Sequence, residues 1–244
     1  MGQERDRRKT IMKTKVLHIL CEGQTEQSFA DKVLKPYLQE LGVASVKSTM
    51  VTTNRKKNMQ GGMLSFQQAK QDLSILFMSN QNDEYTSHLF TTMFDFYALP
   101  NDFPNYSEAL KIQDKYQMID YIEESFAHEI KENRFIPYIQ LHEFESLVFC
   151  GIEFLKILYP GCDKSIKTLN TVLDDFSNPE LINHGINTAP SKRIIHAIEF
   201  ENKQKYKYNK PKSGKFVTES VGIDKLRNEC PHFNQWIDRI IVGK

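Results

Sequence analysis

The stretch VLHILCEGQTEQSFADKVLKPYL, residues 16–38, decides the fold. Its first part belongs to an apolar run over 14–21, with Val16, Leu17, Ile19 and Leu20, short enough for a buried parallel strand. The segment after Gly23 places Phe29, Val33, Leu34, Tyr37, Leu38 and Leu41 on one helical face. Thr25 is positioned to cap this helix and Gly42 to end it, while Pro36 predicts a kink or an early stop. Glu22 sits at the junction, where the partial positive charge of a helix start favours an anion. The alternative is a metal-site or acid/base carboxylate held at the edge of a sheet.

The rest of the chain repeats this alternation. ASVKSTMVTT reads as a second strand, NRKKNMQGGM as a basic loop, and residues 63–78 as a second amphipathic helix. SHLFTTMFDFYALP reads as a third strand ending at Asp95 and stopped by Pro100. A helical run over 107–131 interrupts the rhythm, and RFIPYIQLHEFESLVF reads as a fourth strand leading into a helix. From about residue 152 the pattern is helical with polar loops. The expected fold class is α/β: a central, mostly parallel sheet with helices on both faces, plus a mainly helical C-terminal part. The expected organisation is a disordered basic arm over 1–12, an α/β core over 13–150 with a helical insertion at about 101–134, and a helical extension over 151–244 packed on the core.

Composition narrows the function classes. The chain has 244 residues and a formal net charge of +1, so any nucleic-acid contact must come from a local patch. Cys21, Cys150, Cys162 and Cys230 form no CxxC pair and stand beside no zinc-finger histidines, which argues against structural zinc and for reduced thiols in the cytoplasm. No apolar segment approaches the ~18 residues of a membrane span. There is no P-loop, no GxGxxG and no nucleophile elbow, so ATP, dinucleotide and serine-hydrolase chemistries lack their devices.

In an open α/β sheet, ligands bind outside the carboxyl ends of the strands. Three of the expected strands deliver acids there: Glu22, Asp95, and Glu143 with Glu145. Hard oxygen ligands on separate elements suit Mg²⁺ or Mn²⁺. Each acid also has a plainer reading: Glu22 as a helix-start anion, Asp95 as a paired structural carboxylate, Glu143 or Glu145 as a solvated side chain, and Glu26 as a cap instead of a ligand. Basic residues gather later. Lys192 and Arg193 lie at an expected helix start, where backbone N–H groups favour phosphate. Lys203, Lys205, Lys207, Lys210, Lys212 and Lys215 interleave with Tyr206 and Tyr208, a mix that suits unpaired nucleic acid or, equally, an exposed charged loop.

The blocks CEGQTEQSFADKVLKPYL, GGMLSFQQAKQDL, TTMFDFYALPNDFP, RFIPYIQLHEFESLVF, TAPSKRI and CPHFNQWI resemble, in order, those of a bacterial Toprim-like family known as domain of unknown function 4276. The resemblance spans about residues 14–240 and implies a Toprim-type fold. It implies that Glu22 is the acid/base glutamate and that Asp95 is the first acid of an Asp-x-Asp metal pair. Asp95-Phe96-Tyr97 departs from that pair at Tyr97, and Glu143 or Glu145 is the candidate replacement. The resemblance further implies a nuclease effector of antiviral defence or abortive infection that cuts DNA or RNA. An ABC/SMC-like ATPase partner belongs to the same picture; the sequence leaves the oligomeric state open, a homodimer included. Two other readings stand beside it: a non-catalytic module that docks on an ATPase or a nucleic acid, and a transferase acting on a small nucleotide.

Overall fold

The structure is a computed structural model that describes residues 13–54, 59–60, 62–182, 185 and 187–243, with the side chains of 53, 54, 59 and 60 left aside. The basic arm expected over 1–12 and the basic residues 55–58 lie outside the described residues.

The strands are β1 (Thr14–Cys21), β2 (Ser45–Met50), a side hairpin of β3 (Thr52–Asn54) and β4 (Met59–Gln60), then β5 (Thr86–Asp95), β6 (Phe135–Ile136) and β7 (Ile139–Gln140). The central sheet runs β2-β1-β5-β6, with β7 also on β5, and every pair in it is parallel. A parallel sheet needs cover on both faces, and its strands accordingly read as near-continuous apolar runs. Period-two alternation divides them. Leu17, Ile19, Cys21, Leu89 and Met93 join a core with the first helix and the C-terminal helices. Leu20, Phe90 and Phe94 face the other way, into a core with helices Phe66–Ser79 and Lys115–Ile130. The protein is thus an α/β fold, and no strand follows residue 140 among the described residues.

Three local features depart from the sequence pattern. The first helix neither stops nor breaks at Pro36. It runs from Gln24 through a π-turn at Ala30–Leu34 into Lys35–Glu40. The wider turn ends just before the proline, which has no N–H to give and whose ring would crowd the carbonyl four residues back. The cap of this helix is Gly23 and not Thr25, and the Glu26 carboxylate reaches back to the Gly23 N–H at 2.9 Å. The expected fourth strand is split into β6 and β7 by Pro137. The buried Thr92 hydroxyl bridges the gap, accepting from the Tyr138 N–H and donating to the Tyr138 carbonyl, each at 3.0 Å. The helical run expected over 107–131 resolves into a short turn at Tyr106–Ala109 and the helix Lys115–Ile130, whose start is fixed by Asp114 accepting from the Gln117 N–H at 2.9 Å.

Candidate metal centre

The register of β1 on β5 sets Cys21 opposite Met93, so the two strands end together. Glu22 continues the ladder, donating its N–H to the Met93 carbonyl at 3.1 Å. From there the acids fasten one chain segment to the next. Glu22 Oε2 accepts the Asp95 N–H at 3.0 Å, and Asp95 Oδ1 accepts the Phe144 N–H at 2.9 Å. Glu143 accepts the Ser191 N–H at 2.8 Å and the Ser191 hydroxyl at 3.0 Å, one on each oxygen. His142, at φ +66°, makes the sharp turn that brings this segment in, and its carbonyl accepts the Tyr97 N–H at 2.8 Å.

The result is a cleft of about 330 Å³ lined by Glu22, Glu26, Asp95, Glu143 and Glu145, with Tyr97, Ser191, Lys192 and Lys210 among its other walls. Five carboxylates share it with two lysines. Lys210, on the helix Lys210–Val221, brings its Nζ to 3.2 Å from Glu145 Oε1. That oxygen is buried and has no hydrogen-bond partner, so the contact is an ion pair without a directed hydrogen bond.

Burial and the crowding of like charge displace the pKa values of the group. Burial, then the neighbouring carboxylates Glu26 and Glu22, push Asp95 well above the usual range. Burial raises Glu145 to about 7 against the pull of Lys210, and raises Glu26 to about 7 with Glu22 adding to it. Glu22 moves up through burial, although its bond from the Asp95 N–H opposes the change. Lys210 moves up as well: burial works against its charge, and Glu145, Glu143 and Asp95 outweigh burial.

These residues fit a hard divalent cation. The donors are carboxylate oxygens on three separate segments, one of them a buried oxygen without a hydrogen bond, and the site carries more negative charge than its lysines balance. Asp95, Glu145 and Glu26 would hold the ion most directly, with Glu22 beside them, since both Glu143 oxygens already serve Ser191. No three of these acids offer ligand atoms within 4.8 Å of one another, so side-chain rotation must accompany loading. The tighter group among the described residues is Asp120, Glu123 and His232. There, Glu123 accepts the Ile139 N–H at 2.7 Å and pairs with His232 at 3.1 Å and Arg239 at 3.5 Å. Arg239, and His232 when protonated, balance the two carboxylates, and the group reads as a structural ion cluster.

The basic residues divide. Lys192 and Lys210 line the cleft. Arg193 turns back to the Thr188 carbonyl at 2.7 Å, and Lys203, Lys205, Lys207 and Lys212 lie outside the cleft wall. Lys215 pairs with Glu219 at 3.7 Å. Two expectations need correction. The helix start at Pro190–Ile195 offers no free N–H at Ser191 for phosphate, because Glu143 already takes it. Tyr208 is only 7% exposed, so its ring serves packing and not base stacking, while the half-buried Tyr206 donates its hydroxyl to the Pro160 carbonyl at 2.8 Å. Sequence reasoning missed Ser191 as the anchor of Glu143; a serine next to a helix-starting proline was the available signal.

A family model described as a domain of unknown function (DUF4276) matches residues 21–241. No curated protein matches the chain. No solved structure matches it.

Proposed function

We propose, for a chain that belongs to the DUF4276 family, a metal-dependent nuclease on a Toprim-type fold that hydrolyses phosphodiester bonds of DNA or RNA in bacterial antiviral defence, under the control of an ATPase partner. The observation that carries the chemical part of this reading is the convergence of five carboxylates at the end of β1 and β5, with Glu26, Glu145, Asp95 and Glu22 all displaced upward. Perturbed carboxyls in a cleft are a mark of catalytic and metal sites. Bound Mg²⁺ or Mn²⁺ would supply charge stabilisation to the phosphate and favour an ionised attacking water. The side chains do the rest. Glu22, pinned through one oxygen to the Asp95 N–H, exchanges a proton with the attacking water or the leaving oxygen. Lys192 and Lys210 hold the phosphate backbone at the mouth of the cleft. Asp95 and Glu145 would hold the cation, and Ser191 fixes Glu143.

The test is incubation with plasmid DNA and with total RNA, with and without Mn²⁺. Cleavage that requires the metal and disappears in Glu22→Ala, with the circular dichroism spectrum unchanged, supports the reading. Unchanged cleavage by Glu22→Ala sinks it. The second reading, a non-catalytic module that binds nucleic acid or docks on an ATPase, is favoured by one observation: Tyr97 stands in the cleft wall where the resemblance expects an acid. It predicts no metal-dependent cleavage and no Mn²⁺ binding that is lost on Asp95→Asn.

A further inference from the structure

Tyr97 is strongly exposed, and it lines the acidic cleft. It comes directly after β5, in the 3₁₀ turn Phe96–Ala98. Phe96 is buried against Tyr106, with ring centres 6.0 Å apart, which anchors the turn from below. From the side, the Tyr97 N–H donates to the His142 carbonyl at 2.8 Å, and the Leu99 N–H closes the turn on the Phe96 carbonyl at 3.2 Å. Tyr97, 43% exposed, is therefore carried on a turn held by two backbone hydrogen bonds. Ala98 and Ile195 line the cleft with it, so an apolar lip borders the carboxylates, and Lys192 completes the rim.

An aromatic lip, a lysine and a metal-type carboxylate floor are the three surfaces that one nucleotide presents partners for: a base with a π-face, a phosphate, and a reacting phosphodiester. Within a duplex, both faces of every internal base are covered by stacked neighbours, so a ring at the lip has nothing to stack on unless the base has left the stack. We infer that Tyr97 stacks on an unpaired nucleobase beside the scissile phosphate, and that the substrate is single-stranded nucleic acid or an unpaired end. This rests on the nuclease reading of the cleft and adds its substrate class. It also moves the stacking role away from Tyr208, which the fold uses for packing.

The experiment is a fluorescence-anisotropy titration in Ca²⁺, using end-labelled 12-nucleotide single strands of DNA and of RNA and the matching blunt DNA duplex. Wild type, Tyr97→Phe and Tyr97→Ala are compared after thermal melts show that all three are folded. The expected result is a single strand, of one sugar type or both, bound at least ~10-fold tighter than the duplex, a ratio within the usual worth of one stacked base. Tyr97→Phe should stay within about twofold of wild type, since the π-face is retained, and Tyr97→Ala should lose about tenfold on the single strand alone. Equal binding of single strand and duplex, wild-type binding by Tyr97→Ala, or no binding to any of the three overturns the inference. Because no turnover is read, these outcomes are separate from the cleavage assay: a protein that cuts plasmid with Mn²⁺ while Tyr97→Ala binds normally keeps the nuclease and loses the platform.

Discussion

Gly214 lies in the helix that carries Lys210, and its replacement by alanine tests how tightly that helix is seated. In an exposed helix interior, glycine to alanine stabilises by about 1 kcal/mol. Here a Cβ would stand 2.7 Å from Phe144 Cε1 and 3.3 Å from Thr25 Cγ2. Carbon atoms pack at ~3.5–4.0 Å, so the ring must move by the better part of an ångström. Phe144 has little room. It is 1% exposed, it meets the edge of Phe29 with ring centres 5.4 Å apart, and its N–H is held by Asp95. Overpacking costs about 1–3 kcal/mol, and the crowded surroundings favour the upper end. The propensity gain offsets part of this, leaving Gly214→Ala less stable by about 2 kcal/mol, or roughly 4–8 °C in Tm for a chain of this size. Urea melts followed by the emission of Trp236, the single tryptophan, measure it. Mn²⁺ titration of the same variant should show weaker binding, because moving Phe144 draws on Asp95. A variant as stable as wild type, or more so, refutes the close seating of the helix.

Metal-free protein should lose stability as pH rises. Glu26 and Glu145 titrate at about 7 in the fold, and Glu22 and Asp95 are also displaced upward. A carboxyl with a higher pKa folded than unfolded contributes stability that is complete below its unfolded value, about 4, and lost as pH passes through the folded one. The melting temperature should therefore fall between about pH 6.5 and 7.5, above the range in which the buried His18, lowered to about 4, acts in the opposite sense, and millimolar Mg²⁺ should restore it; a metal-free profile that is flat or rises there contradicts the crowding of acids. Thr91→Val should cost about 1–3 kcal/mol, because it leaves the buried Trp236 Nε1–H, now bonded to Thr91 Oγ1 at 2.8 Å, without an acceptor. A urea midpoint unchanged from wild type would show that the indole finds another partner.

The alternation of apolar runs with amphipathic segments was enough to place Glu22 and Asp95 at the ends of neighbouring strands, because parallel strands buried on both faces leave an unbroken apolar signature. What lay beyond it was long-range or compensatory. The bond from Ser191 to Glu143 joins residues that no local period relates. Pro137 interrupts its strand, yet the sheet continues, and only Thr92 on the neighbouring strand explains how. Pro36 fails to break its helix because the extra residue of a π-turn absorbs the conflict, an accommodation that no propensity scale encodes. Tyr208 sits amid lysines in a stretch that reads as exposed, but packs near Tyr159 with ring centres 6.3 Å apart, in the interior. Composition reports how polar a segment is on average, and a single inward-facing ring escapes it.

The order in which the chain supplies this cleft has a consequence for synthesis. Glu22 leaves the ribosome early, but the N–H it accepts belongs to Asp95, and the N–H that Asp95 accepts belongs to Phe144. Glu143 then waits for Ser191, and Glu145 for Lys210. Four of the five carboxylates thus take their partner from a segment made after them; Glu26, which reaches back to Gly23, is the exception. A nascent chain halted before residue 210 carries all five acids and lacks the cation paired with Glu145, so the centre is completed only by the last part of the protein to be made.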